Sequence, residues 1–79
     1  MKILLFAGLA DAVGRPSVEV DVRSPVKVKE LKRLVAETHP AAKNGLETCF
    51  AAINQDYADD EAVVEANDEV AFIPPVSGG

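Results

Sequence analysis

The group in this sequence with the clearest chemical potential is the α-carboxylate of Gly79, which ends the stretch "IPPVSGG" (73–79). A carboxylate is a poor electrophile because its charge is delocalised and its leaving group would be oxide. An ATP-dependent enzyme can convert it to an acyl-adenylate, and a sulfur or amine nucleophile can then displace AMP. A thiocarboxylate made in this way is a soft nucleophile, able to deliver sulfur inside the closed active site of a partner.

The residues before this carboxylate suit a terminus that has to enter a narrow space. Pro74 and Pro75 favour a stiff, extended start to the tail. Gly78 and Gly79 lack Cβ atoms, so they can pass through a slot that would stop other residues. Six extended residues reach about 20 Å. The pattern therefore predicts a tail over residues 74–79 that presents its carboxylate to another protein, although a frayed terminus would also fit it.

The other side chains with chemical potential favour structural roles. Cys49 and His39 are single representatives of their types, which excludes an internal disulfide and a four-ligand zinc site. Cys49 lies in an apolar run and is expected to pack as a small buried hydrophobe. The carboxylates between Asp59 and Glu69 would need a pocket and a raised pKa for catalysis. We expect a solvated acidic hairpin there, with a patch for a basic activating enzyme as the alternative, and no metal site.

Length and charge limit the class of protein. The 79 residues, 48% of them hydrophobic, allow one domain with one core. Eight basic and thirteen acidic residues give a formal charge of -5, which argues against nucleic acid or an anionic membrane surface as the partner. The apolar start resembles a signal peptide only superficially, and no segment is long enough to span a bilayer. We therefore expect a cytoplasmic protein.

Hydrophobic periodicity predicts the elements that position the tail. Apolar alternation predicts strands over 2–7 and 17–22, with a short helical turn at 9–13 that ends at Gly14. The next segment changes to a helical period and ends at Pro40. Its apolar stripe is formed by Val28, Leu31, Leu34 and Val35.

The second half of the chain is predicted to return to strands. They cover 48–54, weakly 61–68, and 68–73, with "NQDYADD" (54–60) as a turn. A hairpin, a crossing helix and further strands indicate an α+β fold of the ββαββ kind, the ubiquitin-like β-grasp. In this arrangement one main helix crosses a mixed sheet whose first and last strands lie parallel at the centre. The predicted domain covers 1–73, and 74–79 form the tail.

Three segments resemble the small-subunit family of molybdopterin synthase, the sulfur carriers of molybdenum cofactor biosynthesis. They are "KILLFAGLADAVG" (2–14), "AAINQ" (51–55) and "NDEVAFIPPVSGG" (67–79). The resemblance implies that a ubiquitin-activating-like adenylyltransferase uses ATP to adenylate Gly79, which then becomes a thiocarboxylate with sulfur from a donor protein. It further implies a heterotetramer of two small and two large subunits. There the tail supplies sulfur to convert cyclic pyranopterin monophosphate to the dithiolene of molybdopterin. The chain would bind no cofactor and have no active site of its own.

The resemblance also assigns roles to single residues. Gly79 is the sulfur-bearing terminus. The residues that thread or guide the tail are Gly78, Ser77, Val76, Pro75 and Pro74. Ile73 and Tyr57 match positions that face the large subunit, and Leu4 and Phe6 either extend this apolar patch or lie buried beneath the helix. Ala10 stands where family members can carry a basic residue, so one polar contact with the large subunit is in doubt.

Other functions share these features. A thiamine-pathway sulfur carrier has the same fold and tail chemistry with a different acceptor. A ubiquitin-like protein modifier would join Gly79 to a lysine, and a plain interaction domain would use neither reaction. The PPVSGG ending and the chain length favour the molybdopterin carrier.

Overall fold

The computed structural model describes residues 1–22 and 25–75 of the chain. Within these residues the elements follow one another in an α+β order. They are β1 (Lys2–Leu5), α1 (Ala7–Val13), β2 (Ser17–Glu19), β3 (Val26–Lys27), α2 (Val28–Thr38), a 3₁₀ turn (Pro40–Ala42), α3 (Lys43–Thr48), β4 (Phe50–Ile53), β5 (Asp56–Ala58), β6 (Val63–Val64) and β7 (Val70–Ile73).

The main sheet is mixed and has the order β2-β1-β7-β4-β5. The first and last strands pair in parallel at its centre, with Ile3 opposite Val70 and Leu5 opposite Phe72. All other pairs in this sheet are antiparallel. The predicted α+β layout is therefore confirmed, including the central parallel pair.

The core lies between one face of this sheet and the helices. Ile3, Val70 and Phe72 from the sheet are fully buried, as are Leu31 and Val35 from α2. No polar or charged residue belongs to the buried set among the described residues. The predicted helical stripe is confirmed, because it follows the 3.6-residue period that turns one face of α2 towards the sheet.

Asp60 and Glu61 pair with lysines of α2 and of β3. Glu61 accepts hydrogen bonds from Lys27 (2.7 Å) and Lys29 (2.8 Å). Lys32, whose side chain is largely buried, donates to Asp60 (2.9 Å) and to the backbone carbonyl of Cys49 (2.9 Å). The expected hairpin does not form, since β6 in this segment pairs with β3. The two acids are 58% and 62% exposed, as expected for solvated groups, and they are also tied to lysines.

Several predicted boundaries are wrong, because short elements leave little periodicity. The strand predicted at 48–54 begins only at Phe50, since Lys43–Thr48 form α3, which buries Leu46. The strand at 17–22 ends at Glu19. The turn predicted at 54–60 contains β5. The weak strand at 61–68 shrinks to β6, which pairs with β3 in a separate two-stranded sheet.

A two-residue turn joins β4 to β5 and also fixes the start of β7. Asn54 (φ 53°) and Gln55 (φ 73°) both have positive φ, as a tight hairpin turn requires. The Asn54 side chain accepts from the N–H of Glu69 (2.9 Å) and donates to Asp68 (3.1 Å). Its backbone N–H donates to the carbonyl of Glu69 (2.7 Å). One residue therefore holds three strands in register.

We expect Asn54→Ala to destabilise the domain by about 1–2 kcal/mol, since it removes these side-chain bonds and places alanine in the left-handed region. Asn54→Gly removes the same bonds without the conformational cost, so it should destabilise less. Urea denaturation of both variants gives the two free energies of unfolding. Equal losses would show that the backbone conformation contributes nothing.

The ion pairs of Glu61 predict a pH dependence of stability. Hydrogen bonds from Lys27 and Lys29 lower the pKa of Glu61 from 4.5 to about 2. Since the pKa is lower in the folded chain, the stabilisation is present above the ordinary value and is lost as pH falls towards 2. Glu61→Gln should therefore lower the melting temperature modestly at neutral pH, and the difference from the unsubstituted chain should vanish near pH 2.

Thermal unfolding across this pH range tests the prediction. Glu47→Gln is the matched control, because Glu47 is an exposed acid of α3 for which the described part of the chain offers no ion pair. A melting-temperature difference for Glu61→Gln that stayed constant with pH would contradict the role of the ion pairs.

Candidate partner-binding face and tail exit

The face of the main sheet that points away from the helices is apolar towards the end of β7. Alternate residues of β7 are buried in the core, so Ala71 and Ile73 lie on this outer face. The register places Leu4 of β1 beside Ala71 and Phe50 of β4 beside Ile73. The outer face therefore brings together side chains from separate strands, and β7 runs through its middle.

A groove of about 360 Å³ lies on this outer face. Its lining includes all four residues that the resemblance assigns to partner contact: Leu4, Phe6, Tyr57 and Ile73. Leu4 is half-buried on the outer face, so it does not lie beneath the helix, and Phe6 is 46% exposed. Exposed apolar side chains around one groove suit a partner interface. The role of each residue in binding stays a prediction.

Sequence reasoning missed Phe50, which also belongs to the outer face. Its side chain is 54% exposed, and its ring makes an edge-to-face contact with Tyr57, with ring centroids 6.1 Å apart. The signal was available in the alternation of β4, because Phe50 lies one residue away from buried Cys49 and buried Ala51. Aromatic residues that are exposed together mark interaction surfaces more often than single exposed apolar residues do.

The tail leaves the sheet beside this aromatic cluster. β7 ends at Ile73, and half-buried Pro74 and exposed Pro75 follow without secondary structure. The parallel neighbour β1 ends at the same edge, where the N–H of Phe6 donates to the carbonyl of Phe72 (3.3 Å). The predicted tail residues Val76, Ser77, Gly78 and Gly79 lie outside the described residues.

The backbone is unusual where Phe6 meets the tail exit. Ala7 has a φ of 49°, in the left-handed region that alanine seldom occupies. This turn starts α1 directly after β1, and the N–H of Leu9 donates to the carbonyl of Phe6 (3.1 Å). Because the chain turns at Ala7 from β1 into α1, the strand ends there and the Phe6 ring stays at the surface of the domain. Backbone strain of this kind is found preferentially at functional sites.

Cys49 and His39, the other residues with chemical potential, have surroundings that favour a structural role. Cys49 is buried as expected, and burial raises the pKa of its thiol, which disfavours the reactive thiolate. His39 caps the end of α2, where its N–H donates to the carbonyl of Val35 (2.8 Å). Within residues 1–22 and 25–75, no group of three or more His, Cys, Asp or Glu side chains could hold a metal ion. None of the helices there has the length and apolar character needed to cross a bilayer.

Comparison with known proteins assigns the family. The model of the family described as "ThiS family" matches residues 3–79. The chain belongs to the ThiS family. A molybdopterin synthase sulfur carrier subunit from Dictyostelium discoideum is 37% identical over 99% of this chain and 94% of its own length. Further curated relatives carry the same name, so the resemblance to molybdopterin synthase sulfur carriers is confirmed.

Solved structures confirm the ubiquitin-like β-grasp fold. SAMP1 from Haloferax volcanii superimposes with a TM-score of 0.85 at 30% identity, covering 99% of this chain and 97% of that chain. A chain in the complex of subunits 1 and 2 of molybdopterin-converting factor from Helicobacter pylori gives a TM-score of 0.67. At 22% identity, with 99% and 96% coverage, that second likeness shows the fold alone.

Proposed function

We propose that this ThiS-family chain is the sulfur carrier subunit of a molybdopterin synthase. The observation that carries the proposal is the match over nearly the whole chain to curated sulfur carrier subunits, which includes the end of the sequence. The geometry supports it, because an exposed apolar face lies beside the exit of a Pro-Pro tail. The domain body would hold the tail, and other enzymes would load and unload it.

The proposed chemistry takes place at the α-carboxylate of Gly79. An activating adenylyltransferase transfers AMP from ATP to this carboxylate and releases pyrophosphate. The terminal sulfur of a persulfide on a donor protein then attacks the acyl carbon, and AMP leaves with the carbon–oxygen bond electrons. A thiol next attacks the donor's sulfur in the resulting acyl disulfide and forms a disulfide with it, and the electron pair of the broken sulfur–sulfur bond leaves with the thiocarboxylate. Cyclic pyranopterin monophosphate is the proposed acceptor of this sulfur, in the active site of a large subunit.

In the proposed complex, the outer sheet face binds the large subunit. The Helicobacter pylori structure is described as a complex of subunits 1 and 2. For this chain we propose a complex of two small and two large subunits, the assembly that the resemblance to the small-subunit family implies. Ile73, Tyr57, Phe6 and Leu4 would form the centre of the contact, together with Phe50. Pro74 and Pro75 would direct the remaining tail residues into the partner. Placing the contact next to the tail exit means that docking also aims the tail.

A second candidate function is protein modification. The chain is 30% identical to SAMP1 from Haloferax volcanii, and related structures are described as small archaeal modifier protein 1. In this case the acyl-adenylate of Gly79 would be attacked by a lysine amine, and an isopeptide bond would form. The molybdopterin function is favoured because the curated relatives of greater identity carry that name. The same relatives argue against the thiamine-pathway carrier.

Intact-mass spectrometry distinguishes these functions. After incubation with activating enzyme, ATP and a sulfur source, we expect the chain to gain about 16 Da, the difference between sulfur and oxygen. Deleting Gly79 should abolish both this shift and the formation of molybdopterin, with the melting temperature unchanged. Molybdopterin formation by the truncated chain would refute the proposal, and isopeptide-linked conjugates without the mass shift would favour the modifier.

We expect Ile73→Lys to weaken binding of the large subunit by about 2 kcal/mol or more, roughly 30-fold, because it places a charge in the centre of an apolar contact. Val63→Lys is the matched control, since Val63 is 56% exposed but belongs to the small second sheet. Isothermal titration calorimetry gives both affinities. Equal affinities for the two variants would remove Ile73 from the interface.

A further inference from the structure

The outer sheet face is polarised along the strands. The end near the tail exit carries the rings of Phe6, Phe50 and Tyr57, together with Ile73. The opposite end, where β7 begins, carries charged residues. They are Lys2 of β1, Glu19 of β2, and Asp68 and Glu69 before β7. The N-terminal ammonium of Met1, 3.6 Å from the Glu19 carboxylate, also lies at this end. Two positive and three negative groups leave it with a formal charge of -1.

Glu69 belongs to the charged end and also borders the apolar groove. It lines the same groove as Leu4, Tyr57 and Ile73, and it is exposed. Four residues of extended chain place it about 13 Å from Ile73. The carboxylate of Glu69 therefore lies in the path of any partner that covers the groove.

The backbone of Glu69 is held by hydrogen bonds, whereas its carboxylate has no partner among the described residues. The side chain and backbone of Asn54 bind the N–H and the carbonyl of Glu69 at 2.9 and 2.7 Å. Its neighbour Asp68 uses its own carboxylate internally, since it accepts from the N–H of Glu65 (2.8 Å) and from Asn54. For the Glu69 carboxylate, the described part of the chain provides no hydrogen bond or ion pair, and Lys2 on the adjacent strand makes none with it. A rigid backbone thus presents a free anion.

We propose that Glu69 sets the orientation of the partner on the outer sheet face by pairing with a basic side chain of that partner. This inference rests on the proposed function, in which the large subunit covers the face. Burial of apolar surface is not directional, so the aromatic end alone would allow the partner to bind in several rotations. A charge pair at the end farthest from the tail exit selects one rotation. Covering the groove without a cation would leave a desolvated, unpaired carboxylate, which is costly.

The proposal fixes a property of the partner. Its contact surface needs an apolar centre and, about 13 Å from the point where the tail enters, an arginine or lysine. The net charge of -5 of the chain supports a basic partner surface in general. Pairing with Glu69 would place one basic side chain of the partner at a defined position on the face.

The test measures binding of the molybdopterin synthase large subunit encoded in the same genome by surface plasmon resonance. Glu69→Gln, which keeps the shape and removes the charge, should weaken binding about tenfold, and Glu69→Lys should weaken it further. The association rate should fall for both variants at about 50 mM salt, and the difference from the unsubstituted chain should shrink at about 500 mM. Glu47→Gln, in α3 on the helical side, should bind like the unsubstituted chain.

The outcomes separate this inference from the proposed function. If Ile73→Lys weakens binding while Glu69→Gln and Glu69→Lys leave the affinity and its salt dependence unchanged, the orientation role is refuted and the proposed function stands. If the unsubstituted chain does not bind the large subunit, the proposed function fails and the inference fails with it. A salt-independent loss accompanied by a lower melting temperature would mean that Glu69 acts on the fold, and this also refutes the proposal.

Discussion

Strand β7 serves the core and the outer sheet face at the same time, and the rest of the structure depends on this double use. Val70 and Phe72 are fully buried, while Ala71 and Ile73 lie on the outer face and Pro74 begins the tail. The strand is paired on both sides, in parallel with β1 and antiparallel with β4. The base of the tail therefore cannot move relative to the face. In the proposed function, a partner that binds the face would receive the tail at a fixed place, which would lower the entropic cost of aligning the terminus.

Two unusual backbone conformations hold β7 at its two ends. Asn54, with positive φ, binds Glu69 at the start of the strand, and Ala7, also with positive φ, follows the residue that binds Phe72 near its end. Such conformations in non-glycine residues cost about 1 kcal/mol or more each and persist only where the surroundings enforce them. Here both adjoin the outer face. The conformational free energy spent at Asn54 and Ala7 fixes both ends of β7. This keeps the aromatic and acidic ends of the face at one separation.

The sequence predicted the elements that repeat strongly and missed those that are short. β1, β7 and α2 have clear periods and were found, and their order was sufficient for the β-grasp fold. The helix α3 has six residues and one buried leucine, which is too little for a helical stripe. The hairpin turn uses Asn-Gln, which is a weaker signal than Asn-Gly, so β5 was read as part of a loop. The pairing of β3 with β6 joins Val26 to Val64 and Lys27 to Val63, which are 38 and 36 positions apart, and no local pattern reveals it.

For the candidate site, the sequence predicted the apolar residues but not the pairing of the charged ones. The resemblance gave four residues of the outer face, and alternation along β4 could have added Phe50. The state of the charges could not be read from the sequence, because it depends on which carboxylate meets which cation in space. Asp60 and Glu61 pair with lysines of α2 and β3, and Glu30 and Glu37 pair with Arg33, whereas Glu69 keeps a free carboxylate.

The distribution of these charges explains how an acidic chain can combine a stable body with a selective face. The basic side of α2 is satisfied by nearby acids, so the helical layer contributes little net charge. The core is built from apolar residues, and no buried side-chain polar atom in the described ranges lacks a partner. The exposed rings of Phe6, Phe50 and Tyr57 and the carboxylate of Glu69 therefore lie outside the core. Exposed aromatic rings and an unpaired carboxylate can remain there for binding, since changing them alters recognition before it alters stability.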